Sequence, residues 1–185
     1  MEKNDEILVK NFLAGNEAAF ESLLKKYLKP VYNFLYQLTD DRSALPDLTQ
    51  ITFIKAWKNL RRFDRSRSFK VWIFAIAKNT AYDHLKKKKT LPFSFFENNK
   101  GHNKLEEIKE DRLLPDEILE RQNIVRELEE KLKELPKNYQ VILLMRYKDD
   151  LTITEISGIL NLPYNTIKSQ HQRALAALRK KFLEK

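Results

Sequence analysis

The chain of 185 residues carries 35 lysine and arginine residues against 26 acidic ones, which gives a net charge of +9 at pH 7. Its 42% hydrophobic content is enough to form a core. No apolar run approaches the roughly 18 residues of a membrane-spanning helix, and the segment MEKNDEILVK lacks the apolar core of a secretory signal, so we expect a cytoplasmic protein without membrane insertion. The chain has no cysteine, which excludes disulfides, thiolate zinc sites and cysteine nucleophiles.

The charge is distributed in blocks along the chain. Residues 61–89 carry ten basic and two acidic residues, a net charge of +8, and residues 161–185 carry six basic and one acidic, a net charge of +5. Residues 91–120, in contrast, carry four basic and eight acidic residues, a net charge of −4. Two basic blocks favour a polyanionic partner such as nucleic acid, although a single block would be equally typical of ordinary solvated lysines.

Helical spacing of apolar residues and a content of only three glycines predict an all-α fold. Residues 7–38 have the pattern of two helices. Asn16 is expected to cap the second one with its side-chain oxygen. Pro30 is expected to break or kink it, because proline lacks the N–H that the helix would use.

A third helix is predicted over residues 44–60, with Ser43 as its N-cap and Pro46 in its first turn. Its apolar residues go most of the way round the helix. A helix of this kind is usually packed on two sides, so we expect the core on one side and a protein partner on the other.

Residues 61–68 form a short polar loop in this interpretation, and residues 69–88 form a long helix. One face of that helix is apolar around Ile73. The opposite face carries aromatic, amide and cationic groups: Trp72, Lys78, Asn79, Tyr82 and Lys86. Such a combination suits single-stranded nucleic acid, whose bases stack and whose backbone needs neutralising, and Lys86 to Lys89 would extend it as a phosphate clamp. For Trp72, a place in the core is an equally good interpretation.

Residues 91–116 combine prolines, asparagines and mixed charge with little periodicity, which is typical of a flexible linker. The sequence therefore predicts two small helical domains, residues 1–90 and 117–185, joined by this linker. The C-terminal one has the pattern of a helix-turn-helix.

Four features predict the helix-turn-helix. Thr152 and Glu155 match a capping box at the start of its first helix. Asn161 tolerates the left-handed turn, and Pro163 suits the first turn of the second helix. The exposed face of that second helix then carries groups that bind bases and phosphates, whereas His171 lies on the apolar side. These groups are Asn165, Lys168, Ser169, Gln172 and Arg173.

Together these segments resemble the extracytoplasmic-function (ECF) group of bacterial sigma factors, which retain two conserved domains called regions 2 and 4. Region 2 is recognised in DLTQITFIKAW (47–57), FD (63–64) and FKVWIFAIAKNTAYDHLKK (69–87). Region 4 is recognised in the stretch from LKELPKNYQ to RALAALR (132–179). The match fails only at the first residues and at the linker.

The resemblance implies a role for each segment. The third helix would dock on the β′ clamp helices of RNA polymerase through Asp47, Leu48, Gln50, Ile51, Phe53, Ile54 and Trp57. The loop and the long helix would capture and hold the melted −10 element through Arg61, Arg62, Arg65, Arg67, Trp72, Lys78, Asn79, Tyr82, Lys86 and Lys87. The last helix would recognise the −35 duplex through Tyr164, Asn165, Thr166, Lys168, Ser169, Gln172 and Arg173.

The implied partners are core RNA polymerase (its β′ clamp helices and β flap), promoter DNA and an anti-sigma factor, and the acidic linker would thread into positively charged channels of the polymerase. The sequence departs from the family pattern at Pro46 and Ile51, where acidic residues are usual. It departs again at Pro163, Gln170 and His171, so we expect an unusual −35 preference.

Two other functions remain to be compared with this one. A two-domain helix-turn-helix regulator that does not dock on polymerase would have no reason to expose Ile51 and its apolar neighbours. A nuclease or nucleotidyltransferase would need clustered carboxylates or a phosphate loop, and the sequence has neither. Its three histidines, His84, His102 and His171, are scattered. We therefore expect no enzyme, no catalytic residue, no metal and no cofactor.

Overall fold

The computed structural model describes residues 3–39, 41–87 and 115–183, and within these ranges every regular element is helical, as the sequence predicts. The helices are α1 (Lys3–Leu13), α2 (Glu17–Leu38), α3 (Leu45–Asn59), α4 (Phe69–Lys87), α5 (Pro115–Lys133), α6 (Lys137–Tyr147), α7 (Ile153–Leu160) and α8 (Tyr164–Leu183). Helix α5 begins inside the predicted linker, and the rest of that linker up to residue 114 lies outside the described residues. None of the described helices combines the length and apolar character needed to cross a bilayer.

Helix α2 is the central element of the N-terminal half. Its N-cap is Asn16, whose Oδ1 accepts a hydrogen bond from the Ala18 amide at 3.1 Å, as predicted. Of the break or kink predicted at Pro30, the break is wrong, since α2 continues through it to Leu38. Tyr27 and Val31, on either side of Pro30, are both buried, so α2 packs on the core on both sides of the proline despite the missing hydrogen bond.

Helix α3 begins one residue later than predicted, after a 3-10 turn over Arg42–Ala44. Ser43 is not its cap: the hydroxyl donates to Asp41 Oδ1 at 2.7 Å instead. Pro46 does lie in the first turn, where no intrahelical N–H bond is lost.

The helix-turn-helix forms as its sequence predicts. Thr152 and Glu155 make a reciprocal capping box at the start of α7. Asn161 ends α7 in the left-handed conformation, with φ of 57°. Pro163 directly precedes α8, and its carbonyl accepts from the Thr166 amide at 2.9 Å.

Helices α1–α4 (the N-terminal lobe) and α5–α8 (the C-terminal lobe) pack directly on each other. Helix α4 contacts α7, and α2 contacts α6. One cluster of buried apolar side chains runs across the junction, from Phe34 and Phe74 in the N-terminal lobe to Ile142 and Ile156 in the C-terminal lobe. The sequence predicts two domains joined by a flexible linker, and that arrangement alone does not require the lobes to share a core.

Candidate nucleic-acid and protein interfaces

One face of α3 is apolar and exposed. Ile51, Ile54 and Trp57 are 41%, 43% and 49% exposed, and Asp47 and Gln50 lie exposed on the same face. These five residues follow a spacing of three and four, so they form one continuous stripe. The face that the sequence predicts as a protein-docking surface is therefore open.

Two members of the predicted docking set lie elsewhere. Leu48 and Phe53 are 3% and 6% exposed and belong to the buried core. They lie on the side of α3 that packs on its neighbours, because a helix apolar on two sides must place some of its apolar residues inward. We therefore correct the docking set by removing Leu48, whereas Phe53 still reaches the wall of a neighbouring groove.

An open apolar groove of about 690 Å³ lies between α2 and α3, and sequence reasoning missed it. Its α3 wall includes Ile54 and Trp57, so the groove continues the exposed α3 face. Its α2 wall comes from residues spaced four apart: Phe20, Leu24, Leu28 and Tyr32. These four residues form a second apolar stripe on α2. Their spacing in the sequence was the signal that could have indicated the groove.

The loop between α3 and α4 presents arginines on a fixed backbone. Asp64 accepts hydrogen bonds from the Ser66 amide at 3.0 Å and from the Ser66 hydroxyl at 2.7 Å, and it pairs with Arg67 Nε at 3.3 Å. The Ser66 hydrogen bonds, with Arg67 adding to them, lower the pKa of the Asp64 carboxyl. Phe63 is buried and anchors the loop. All four predicted arginines are exposed: Arg61, Arg62, Arg65 and Arg67.

The predicted strand-binding face of α4 is open only in part. Asn79, Lys86 and Lys87 are exposed. Trp72 is half-buried, with its ring 4.9 Å from that of Phe63 and 5.6 Å from that of Phe69. Trp72 thus combines a packing contact with an accessible edge. Lys88 and Lys89 of the predicted phosphate clamp lie outside the described residues.

Lys78 and Tyr82 differ most from the expectation of an open face. Lys78 is 9% exposed, and its ammonium lies 5.4 Å from the centre of the Tyr82 ring. Burial lowers the pKa of the Lys78 ammonium and raises the pKa of the half-buried Tyr82 phenol. Lys78 is therefore not placed for DNA contact, contrary to the prediction from helical phase, because phase gives no information on neighbouring helices. Tyr82 is half-buried.

The predicted face of α8 is accessible. Thr166 and Ser169 are half-buried at its edge. The other predicted residues are exposed: Tyr164, Asn165, Lys168, Gln172 and Arg173. Cationic and amide groups thus line the exposed face of α8, whose other side packs on α6 and α7, and an exposed helix face of this kind suits the major groove of duplex DNA.

His171 lies beside this face and packs on α6, as its apolar position predicts. Its Nε2 atom is 3.2 Å from the Tyr147 hydroxyl, and the two rings are 5.7 Å apart. Burial, and then the charge of Arg146, lower the pKa of the His171 imidazole. Tyr147 is 62% exposed at the rim of the α8 face, and sequence reasoning did not single it out.

Comparisons with known proteins agree with this geometry. Residues 23–90 match the family model of Sigma-70 region 2, and residues 125–178 match that of Sigma-70 region 4. The chain is 29% identical over 174 residues to the ECF RNA polymerase sigma factor SigW of Bacillus subtilis (strain 168), with 93% of each chain covered. It is 30% identical over 182 residues to the ECF RNA polymerase sigma-E factor of Escherichia coli (strain K12), covering 94% of this chain and 92% of that protein.

Solved structures show the same fold. The sigma factor RpoE of Bartonella quintana, in co-crystals with the anti-sigma factor NepR, superposes with a TM-score of 0.65 at 20% identity, covering 89% of this chain and 97% of that one. CnrH in complex with the cytosolic domain of CnrY superposes with a TM-score of 0.63 at 20% identity, covering 96% of each chain. With both conserved regions matched in order, and relatives 30% identical over nearly the whole length, this chain belongs to the ECF sigma factors of RNA polymerase.

Proposed function

We propose that this protein is an alternative sigma subunit that docks on core RNA polymerase through α3 and directs it to specific promoters. The loop over residues 61–68 and α4 would hold the melted −10 strand, while α8 would contact the −35 duplex. The observation that carries the proposal is the exposed apolar face of α3, which lies in the same chain as two separate basic surfaces.

That same face favours a polymerase-docking protein over a helix-turn-helix regulator that acts alone. Exposing Ile51, Ile54 and Trp57 to water is unfavourable unless a partner covers them, and a regulator that only binds DNA needs no such partner. The proposed activity is binding and strand separation, without a catalytic step of its own. Its site of action would be the cytoplasm, where the bacterial polymerase works.

The face and the groove beside it would also accommodate an anti-sigma factor. The structurally similar RpoE of Bartonella quintana was crystallised with the anti-sigma factor NepR, and CnrH is bound to the cytosolic domain of CnrY. A protein that covers α3 here would compete with polymerase for the same apolar residues.

Abortive transcription with purified core polymerase tests the proposal directly. We expect short RNA products from a native template that carries a promoter for this subunit, and none from core polymerase alone. If genomic fragments assayed as a pool yield no product that depends on the added chain, the proposal is wrong.

The docking face is tested by changing Ile51 and Ile54 together to serine. Truncated apolar anchors at the centre of an interface cost more than about 1 kcal/mol each, so we expect core affinity to fall at least tenfold. Replacing Asp47 and Gln50 by alanine should weaken binding less. Lys10→Ala, on the exposed surface of α1, is the control. Unchanged core affinity in the Ile51/Ile54 variant, with helix content intact, would contradict the docking assignment.

A further inference from the structure

Tyr147, the last residue of α6, contacts a residue of α8 at the rim of the exposed α8 face. Its hydroxyl is 3.2 Å from Nε2 of His171, its ring is 5.7 Å from the imidazole, and it is 62% exposed. Lys168 precedes His171 by one turn and belongs to the face that the proposed function assigns to duplex DNA. A tyrosine and its hydrogen-bond partner, from two different helices, therefore lie at the edge of that face.

The Tyr147 hydroxyl can make a second hydrogen bond. A phenol has one proton to donate and two lone pairs, and the contact with His171 engages only one of these three. Burial, with the charge of Arg146 adding to it, lowers the pKa of the His171 imidazole, so the ring is neutral at pH 7.5. A neutral ring with its proton on Nε2 donates to the Tyr147 oxygen, which leaves the phenol proton for an acceptor outside the protein.

The charges around this rim favour an anionic acceptor. Arg146, whose guanidinium lies 5.7 Å from the centre of the tyrosine ring, and the exposed Lys148 flank it in the chain. Two carboxylates follow: Asp150, 3.7 Å from Arg146 Nη1, and Asp149, whose Oδ2 atom is buried. Lys168 on α8 is a third exposed cation. The local balance is therefore positive, and the group most open to an acceptor is a neutral hydroxyl.

The dimensions of DNA place a phosphate strand at this rim. The major groove is about 12 Å wide, roughly the diameter of a helix with its side chains, so the two backbones run along the flanks of a helix seated there. His171 lies about 40° round α8 from the buried Ile167. Lys168 and Gln172 lie at about 100° and 140°, on the side that would face the bases. Tyr147, beside His171, is thus on the flank.

We propose that Tyr147 is a phosphate contact of the DNA-binding surface and that His171 is the residue that positions it. The phenol donates to a phosphate oxygen beside the groove that α8 occupies, while the imidazole holds the phenol from the other side. This inference rests on the proposed duplex contact of α8. Because phosphates carry little sequence information, Tyr147 contributes affinity for any duplex, whereas Lys168 and Arg173 contribute the sequence preference.

Binding of the full chain to a labelled duplex of mixed sequence, measured by fluorescence anisotropy at several salt concentrations, tests the contact. Tyr147→Phe keeps the ring and removes only the hydroxyl, and we expect affinity to fall about three- to tenfold. The slope of log affinity against log salt should not change, because a neutral donor releases no counterion. Tyr139→Phe makes the same change in α6, at a side chain that packs on Leu135 and Ala174, and should leave affinity unchanged.

Two substitutions of His171 test its positioning role. His171→Leu keeps an apolar side chain and removes the hydrogen-bond partner, whereas His171→Gln keeps a donor. We expect His171→Leu to weaken binding in the wild-type background and to have no further effect in the Tyr147→Phe background, and His171→Gln to retain most of the affinity. A residue that only packs would weaken binding equally in both backgrounds, and that result would overturn the positioning role. Circular dichroism confirms that each variant keeps its helix content.

The joint replacement of Lys168 and Arg173 by alanine separates this inference from the proposed function. If that variant binds the duplex more weakly and Tyr147→Phe binds like wild type, the tyrosine contact is wrong and the assignment of α8 stands. If only Tyr147→Phe binds more weakly, the tyrosine contact stands and α8 is not the main duplex surface. If neither change weakens binding, or the wild-type chain does not bind the duplex, both are wrong.

Discussion

The ionisation of the Asp149 carboxyl is coupled to the fold. Burial raises the pKa of its carboxyl to about 6, and the nearby charges of Lys70 and Lys148 oppose that rise. A carboxyl whose pKa is higher in the folded state than in the unfolded state destabilises the fold once it is ionised. The destabilisation is absent at pH values below the unfolded pKa, grows as pH rises toward 6, and is complete above 6.

Asp149→Asn should therefore stabilise the protein at pH 7.5, and by less at pH 5. Each pKa unit is worth about 1.4 kcal/mol, so the gain in the free energy of unfolding has an upper limit of roughly 3 kcal/mol. Urea unfolding at the two pH values measures it. Asp150→Asn is the matched control, since the neighbouring side chain is 95% exposed. A gain for Asp149→Asn that does not depend on pH would contradict the assignment.

At the residue scale, the sequence identified which kinds of side chain form each surface better than it identified which of those side chains are exposed. It identified Ile51, Ile54 and Trp57 as an apolar surface on α3, and all three are exposed. It also assigned Leu48 and Lys78 to contact surfaces, and both are buried. Helical phase gives the direction of a side chain relative to its own helix, but burial depends on which other helices pack there.

Helix α7 depends on its capping box. The Thr152 hydroxyl accepts from the Glu155 amide at 3.2 Å, and a Glu155 carboxylate oxygen accepts from the Thr152 amide at 2.8 Å. The Thr152 hydroxyl also donates to the same Glu155 oxygen at 2.9 Å, so Thr152→Ala removes two of the three hydrogen bonds and should lower the free energy of unfolding by about 1 kcal/mol, measured by urea unfolding. Thr154→Ala, at an exposed position in the same turn, should have little effect or stabilise slightly. An equal loss in both variants would mean that the cap contributes nothing specific.

Helix α8 is expected to contribute both affinity and sequence preference. Replacing Lys168 and Arg173 by alanine should reduce binding of the polymerase holoenzyme to −35-containing DNA about tenfold or more, since each good base contact is worth about 1–3 kcal/mol. Fluorescence anisotropy with promoter and scrambled duplexes measures this effect. Arg179→Ala, an exposed cation further along α8, is the control. Equal losses on both duplexes would mean that Lys168 and Arg173 only hold phosphates.

At the element scale, the sequence predicted α1–α4, α7 and α8, and the features that it missed depend on contacts between helices. The capping box and the left-handed Asn161 were predictable because both depend on neighbouring residues. The course of α2 through Pro30 was not, because it depends on the packing of distant helices around Tyr27 and Val31. The apolar groove between α2 and α3 likewise depends on how two helices meet.

The junction between the lobes is a property of the whole molecule and was not predicted. Its contacts join residues far apart in the chain, such as Lys70 and Asp149, and no local pattern links such positions. A shared buried cluster implies that the stability of each lobe depends on the other, because exposing the junction would expose apolar side chains from both. In two domains joined only by a tether, by contrast, the stability of one domain would not depend on the other.

The two tryptophans allow this dependence to be measured. Trp57 and Trp72 both lie in the N-terminal lobe, so tryptophan fluorescence reports the unfolding of that lobe alone. Thr152→Ala weakens only the C-terminal lobe. If the lobes unfold together, this variant should lower the thermal midpoint seen by fluorescence by several degrees, in step with the midpoint from circular dichroism. A fluorescence midpoint indifferent to Thr152→Ala in the wild-type background would mean that the lobes are energetically independent, despite the apolar cluster they share.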